Sequence, residues 1–263
     1  SQRCLISLWS SGHPSRRSDP MKALIALEER AEERFLELNT TVDGPLSCFG
    51  VDGKQLSAWS YFVKGVSGRR WPLTPGEVGC SLAHLDALRS FLNSSDSYLT
   101  VYEFDAFVRD EFVELDPMFT PYQGQPVVLH LGGQEGLMKR TRLFGKVVLT
   151  TPSAQVWRLA RHSTRWLYRT CGYVVNREAA QIIARSYQRR LQRADDWGQL
   201  LSGHRCVFLF APMVSHPLEL SRSRLEHERR QLFKPSLLRR VLIRCRGLLT
   251  LAMLKGSGHQ RLP

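Results

Sequence analysis

Apolar and polar positions alternate in blocks along this chain, with short apolar runs taking turns with segments that repeat every three to four residues. Cys4–Trp9 is a compact apolar run followed by Ser, Gly, His and Pro, which predicts a strand and a loop leading to Arg16 and Arg17. From Pro20 to Leu38 the residues Met21, Leu24, Ile25, Leu27, Ala31, Phe35 and Leu38 recur at helical spacing, and Val42-Asp43-Gly44 reads as the turn that closes this helix. Gly50–Arg70 is weakly patterned and predicts a surface excursion.

The next signal is sharper. Thr74 can cap a helix, Pro75 suits its first position and Glu77 completes a capping box, so a helix is predicted from there to about Leu92, with Val78, Leu82, Leu85, Leu88 and Leu92 inward. Tyr98–Tyr102 is rich in β-formers and ends in Glu103-Phe104-Asp105, which puts two carboxylates at the end of a core strand. Further strands are predicted at Val127–Leu131, before the pair Gly132-Gly133, at Lys146–Thr150, at Cys171–Asn176 and at Val207–Phe210, with a helix at Arg177–Arg190. This alternation predicts an α/β sandwich with a mostly parallel sheet, whose ligands bind at the carboxyl ends of the strands.

Composition adds a boundary. With 43% hydrophobic and 23% charged residues, a packed fold is expected. The net charge of +13 is concentrated in the tail: between Ser221 and Arg261 there are 11 Lys and Arg against Glu226 and Glu228. Residues 1–220 are therefore read as one packed domain and 221–263 as a basic tail. In that tail the Leu237–Leu249 segment has the spacing of a basic amphipathic helix, suited either to an anionic membrane face or to packing on the domain. No recognition module for nucleic acid accompanies the charge, and no nucleic-acid partner is expected. The six cysteines are scattered without paired spacing and predict a reduced compartment; no signal segment and no apolar run long enough to span a bilayer is seen.

The carboxylates of Glu103 and Asp105 suit one divalent cation, Mg²⁺ or Mn²⁺, which accept oxygen ligands. An acid-x-acid triplet alone is common by chance and reads first as two solvated carboxylates on a loop. Two stretches around it add information: L-T-P-G-E-V-G-C-S-L-A-H-L from Leu73 to Leu85, and V-Y-E-F-D-A-F-V from Val101 to Val108. Together with T-C-G-Y-V-V-N-R-E-A-A from Thr170 to Ala180 and A-D-D-W from Ala194 to Trp197, they resemble glycosyltransferase family 25, the lipooligosaccharide biosynthesis transferases, in order over roughly residues 4 to 217. The resemblance implies a type A nucleotide-binding fold and inverting transfer of a hexose, often galactose, from a UDP-sugar. The acceptor it implies is a lipid-linked oligosaccharide, placing the protein on the cytoplasmic face of a bacterial inner membrane. It further implies that Gly76, Glu77, Gly79, Ser81 and His84 shape the nucleotide-sugar pocket, that Glu103 and Asp105 hold the metal and diphosphate, and that Asp195 or Asp196 is the base or binds the acceptor.

Phe104 departs from that family, which carries an aspartate there, and is expected to pack. Ala83 departs where the family tends to carry serine. His84 reads equally as a core histidine or a ligand contact, Gly132-Gly133 as a plain turn, Arg16 and Arg17 as surface or phosphate-binding residues, and Cys80 and Cys171 as small buried residues. Asp195-Asp196, read without the resemblance, begins a helix.

Overall fold

The computed structural model describes residues 20–27, 38, 42–112, 114–137, 142–217, 245, 249, 252–254 and 259–262. Among them ten strands form one mixed sheet in the order β10-β6-β7-β9-β5-β8-β3-β1-β2, with β4 paired to β9 off this path. The strands are β1 (Met21–Ile25), β2 (Leu46–Phe49), β3 (Tyr98–Glu103), β4 (Phe107–Val108), β5 (Val127–Gly132), β6 (Phe144–Thr150), β7 (Gln155–Leu159), β8 (Gly172–Asn176), β9 (Val207–Ser215) and β10 (Gln260–Arg261). The helices are α1 (Ala58–Tyr61), α2 (Pro75–Leu92), α3 (Asp116–Phe119), α4 (Arg177–Arg189) and α5 (Trp197–Leu200).

The protein is thus α/β, but the sheet is not mostly parallel. Only β1–β2, β1–β3 and β5–β9 pair in parallel, while β3–β8, β5–β8, β7–β9, β6–β7, β4–β9 and β10–β6 are antiparallel. Parallel pairing requires a long crossover, usually a helix. Here β6 and β7 are joined by a tight turn closed by Thr151 N–H on Ala154 O at 2.9 Å, and no α-helix lies between β7 and β8. Antiparallel neighbours are the consequence.

A second correction concerns Met21–Ile25, predicted as the start of a helix and observed as β1. The strand lies between β2 and β3 and is covered on both faces, so Ala23 and Leu24 are equally inaccessible. A short run that is apolar on both faces has no period of two, and periodicity cannot separate it from a helix. Leu38 is helical and buried, as predicted; residues 28–37 of that helix lie outside the described residues, as do the strand Cys4–Trp9, Arg16 and Arg17. The region Gly50–Arg70 is less of an excursion than its composition suggests, because it holds α1 and other short helical turns and buries Gly53 and Gly65.

Helix α2 forms as predicted, from Pro75 to Leu92. Thr74 Oγ1 accepts from Glu77 N–H at 3.1 Å and Glu77 Oε2 accepts from Thr74 N–H at 2.9 Å, a complete capping box. At the far end the Arg177 guanidinium donates to the carbonyls of Phe91, Leu92, Ser94 and Asp96, so the helix's last acceptors are satisfied by the first residue of α4. Two apolar layers sandwich the sheet. One joins α2 and α4 to β3 and β8 through Leu88, Phe91, Val101, Tyr173, Val175 and Ile183; the other holds Leu24, Tyr102, Leu129, Val174 and Leu209.

Only part of the tail is described, and the Leu237–Leu249 amphipathic segment falls almost wholly outside it. Leu254 is buried against Phe144 and Ala160, β10 extends the β6 edge, and Leu262 N–H donates to Leu143 O at 2.9 Å. Residues 260–262 therefore add to the β6 edge of the sheet. No helix among the described residues is long and apolar enough to cross a membrane.

Candidate functional site

The pairing pattern brings the carboxyl ends of β1, β3, β5 and β9 to one edge of the sheet, together with the start of the antiparallel β8. At that edge Glu103 ends β3, and its N–H donates to Cys171 O at 3.0 Å. Its carboxylate oxygen Oε1 is a meeting point. Thr170 Oγ1 donates to it in a short hydrogen bond, His84 Nε2 lies 3.1 Å away and Cys80 Sγ lies 3.8 Å away. Cys80 and His84 are one turn apart on α2 and so share the face that looks onto the strand end. His84 Nδ1 in turn meets the Tyr173 hydroxyl at 2.9 Å. His84 is buried at 1% exposure, while the Glu103 side chain keeps 19%, so the cluster has one accessible edge.

Asp105, two residues on, faces a different partner. Its Oδ2 lies 2.9 Å from Nε2 of His216, which follows β9. His216 Nδ1 donates to Pro217 O at 2.8 Å, so a second proton on Nε2 gives Asp105 a charge-assisted hydrogen bond. Burial pulls the imidazole pKa down, but the hydrogen bond and charge of Asp105 with the Pro217 carbonyl leave it above its ordinary value. Arg169, the non-glycine residue with φ of 62°, donates to Gly133 O at 2.7 Å and Glu135 O at 3.1 Å, and stations a cation beside this pair. The edge therefore offers Glu103 with sulfur, nitrogen and hydroxyl neighbours, and next to it an ion pair and an arginine. The Cys80, His84 and Glu103 donor atoms lie within 4.8 Å of one another, a group that could hold one metal ion. No known protein family matches this sequence, and no curated protein matches it. The chemistry has to be argued from the residues themselves.

The other predicted site residues fall into three groups. Gly76 and Glu77 sit in the first turn of α2, where Glu77 is engaged by the capping box. Gly79 is a packing glycine, since a Cβ there would stand 2.3 Å from Val51 O and 2.7 Å from Gly53 N. Ser81 donates to Gln192 O at 2.6 Å, tying α2 to the loop that leads into Asp195 and Asp196. Asp196 caps α5 by accepting from Gln199 N–H at 3.2 Å, and Asp195 lies 3.5 Å from Arg193 Nε. The helix start anticipated from the sequence is real. Burial holds the Asp196 carboxyl above the ordinary carboxylate range against the pull of Arg193 and Gln199 N–H, with the charge of Asp195 adding to the rise.

Phe104 packs with the second apolar layer, as expected of a residue pointing away from its two neighbours. Gly132 and Gly133, with φ of 129° and 71°, are not a plain turn: Gly132 is the last residue of β5, where its register shifts against β9, and Gly133 N–H still donates to Val214 O at 2.7 Å. Cys171 is buried and its thiol is pushed well above its ordinary value, by burial first and then by the charges of Glu103 and Asp105, so it is no nucleophile. Cys80 does more than fill space, since it belongs to the Glu103 group. Thr170, Tyr173, Arg169 and His216 were not singled out from the sequence. Thr170 and Tyr173 lie inside the T-C-G-Y-V-V-N segment, and His216 could have been found as a histidine directly after a predicted carboxyl-end strand.

Proposed function

We propose that this chain is a nucleotide-sugar-dependent glycosyltransferase of the inverting type, moving a hexose, with galactose from UDP-galactose as the first donor to try, onto a lipooligosaccharide acceptor. The observation that carries the reading is convergence. Two separated segments that resemble the same transferase family, Leu73–Leu85 and Val101–Val108, meet at one carboxylate, where His84 of the first contacts Glu103 of the second at 3.1 Å. The meeting point is the carboxyl edge of an α/β sheet, where such proteins bind ligands. A type A nucleotide-binding fold is the finer architecture this reading implies.

The roles follow from the chemistry. A divalent cation held at this edge would supply charge neutralisation for a diphosphate leaving group. Glu103 is the residue placed to hold it, with Cys80 and His84 alongside, whereas Asp105 is engaged by His216. Arg169 adds positive charge for the diphosphate oxygens, and His216 adds to it when doubly protonated. Inversion requires a base for the acceptor hydroxyl, and a carboxylate with a raised pKa is suited to accept that proton. Asp196 has that property and Asp195 stands beside it.

The acceptor's lipid implies an anionic membrane surface at the cytoplasmic face. Trp59, Phe62, Val63 and Trp71 are exposed, with Trp59 and Phe62 stacked at 5.9 Å and Arg70 over Trp71, side chains of the kind suited to a headgroup layer.

With UDP-galactose, a divalent cation and a lipooligosaccharide fragment, the intact chain is expected to release UDP, and Glu103→Gln to lower that rate roughly 100-fold. Absence of UDP release from every common UDP-hexose sinks the reading. A second reading, a silent relative that binds glycan or a partner protein, is favoured by two observations: Phe104 is packed where the resembled family has an acid, and Asp105 is occupied by His216. Tight acceptor binding without donor binding selects it.

A further inference from the structure

We propose that Cys80, His84 and Glu103 form a metal centre for a zinc-class ion, with three protein ligands and a fourth, open position at the accessible edge of the cluster. This departs from the Mg²⁺ or Mn²⁺ expectation that attaches to Glu103 and Asp105. Hard cations take oxygen ligands, while a thiolate, an imidazole and a carboxylate together select a borderline ion.

Geometry supports the assignment. In a tetrahedral site with Zn–N and Zn–O bonds of about 2.0–2.1 Å and Zn–S of about 2.3 Å, nitrogen and oxygen ligands stand roughly 3.3 Å apart and sulfur stands roughly 3.5 Å from either. The observed separations are 3.1 Å from His84 Nε2 to Glu103 Oε1 and 3.8 Å from Cys80 Sγ to the same oxygen, with all three donors within 4.8 Å. Two of the three separations are close to those of a coordination sphere, and the third pair lies within 4.8 Å.

The surroundings are built to match. Metal-ligating histidines are held by a partner on the other ring nitrogen, and ligating carboxylates are themselves hydrogen-bonded. His84 Nδ1 is held by the Tyr173 hydroxyl at 2.9 Å, and Glu103 is held by the Thr170 hydroxyl. Cys80 and His84 come from one helix at i and i+4, the spacing by which a helix presents two ligands to a single ion, and Glu103 comes from the strand end facing it. Their burial is graded, with His84 enclosed and Cys80 and Glu103 partly open, so the fourth position faces outward. Three protein ligands with an open position is the pattern of catalytic zinc.

The inference does not depend on the transferase reading, because its test reads metal and not turnover. The full chain, reduced and stripped with a chelator, is titrated with Co²⁺. Expected are one equivalent bound in four-coordinate geometry, a thiolate-to-cobalt charge-transfer band, and displacement by Zn²⁺ but not by Mg²⁺. Cys80→Ser should lose the band, while Cys245→Ser, which changes an exposed thiol elsewhere, should keep it. Tyr173→Phe should keep the band and weaken binding about 10- to 100-fold. Melting each variant by circular dichroism separates a lost ligand from a lost fold. A folded chain without a band, or a band that survives Cys80→Ser, overturns the proposal and leaves a hydrogen-bonded cluster alone.

Discussion

Lowering the pH from 7 to 4 should strip on the order of 3 kcal/mol from the stability of this protein through His130 alone. His130 is completely buried in β5, between Phe210 and the edge of Trp197. Its Nδ1 accepts from Gly132 N–H at 3.2 Å and its Nε2 donates to Arg169 O at 2.8 Å, so both ring nitrogens are satisfied in the neutral form. Burial outweighs the pull of the Arg169 carbonyl and lowers the pKa from 6.5 to about 4. Between those values the unfolded chain binds a proton that the native state refuses. Stability is therefore complete above about pH 6.5, falls as the pH drops toward 4, and levels off below. Urea unfolding of the intact chain and His130→Gln across pH 7 to 5 checks this, since stability should fall more steeply toward pH 5 in the first than in the second, the difference being the His130 contribution. Equal slopes would assign the pH dependence to other groups.

Gly132→Ala is expected to cost roughly 3 kcal/mol, combining backbone strain with overpacking. Gly132 has a φ of 129°, and a Cβ there would stand 2.2 Å from the backbone oxygen of Val214, an atom that cannot swing aside. The position is where β5 shifts register against β9. Gly124→Ala is the matched control: its φ of 75° is also positive, but nothing lies within 4 Å of the added carbon, so a loss of only about 1 kcal/mol is expected. Because the Gly132 carbonyl also accepts from the Cys171 thiol, whose own carbonyl holds Glu103 N–H, the first substitution should disturb the site as well as the fold. Similar melting shifts for both alanines would contradict the close approach.

Where local chemistry decides structure, the sequence was readable. Thr74, Pro75 and Glu77 carry the whole start of α2, and the β-rich run ending at Glu103 is the observed β3, because caps and strand ends depend on neighbours in the chain. The helix start at Arg177 belongs to the same class, and the structure adds Asn176 as its cap. Met21–Ile25 failed for the opposite reason: burial on both faces erased the alternation that marks a strand. Strands β2 and β7 were missed because each is short and its inward residues gain meaning only beside β1, or beside β6 and β9.

The site shows the same division. Glu103 and His84 could be named from their segments, but the hydroxyls of Thr170 and Tyr173 reach them only because β8 runs antiparallel beside β3. The pairing of Asp105 with His216 likewise needs β9 to end at the same edge. Asp195 and Asp196 were placed correctly at a helix start, and Asp196 turns its carboxylate to the Gln199 N–H as a cap does.

The central claim is a nucleotide-sugar site at the carboxyl edge occupied by Glu103 and Asp105. The most direct test is a calorimetric titration of UDP and UDP-galactose, with and without Mn²⁺ or Zn²⁺, into the intact chain and an Asp105→Ala variant. The account predicts binding that requires a divalent ion and weakens at least tenfold when Asp105 is removed, because its partner His216 loses the carboxylate that orients it. Failure of both ligands to bind the intact, folded chain with any of these ions would contradict it.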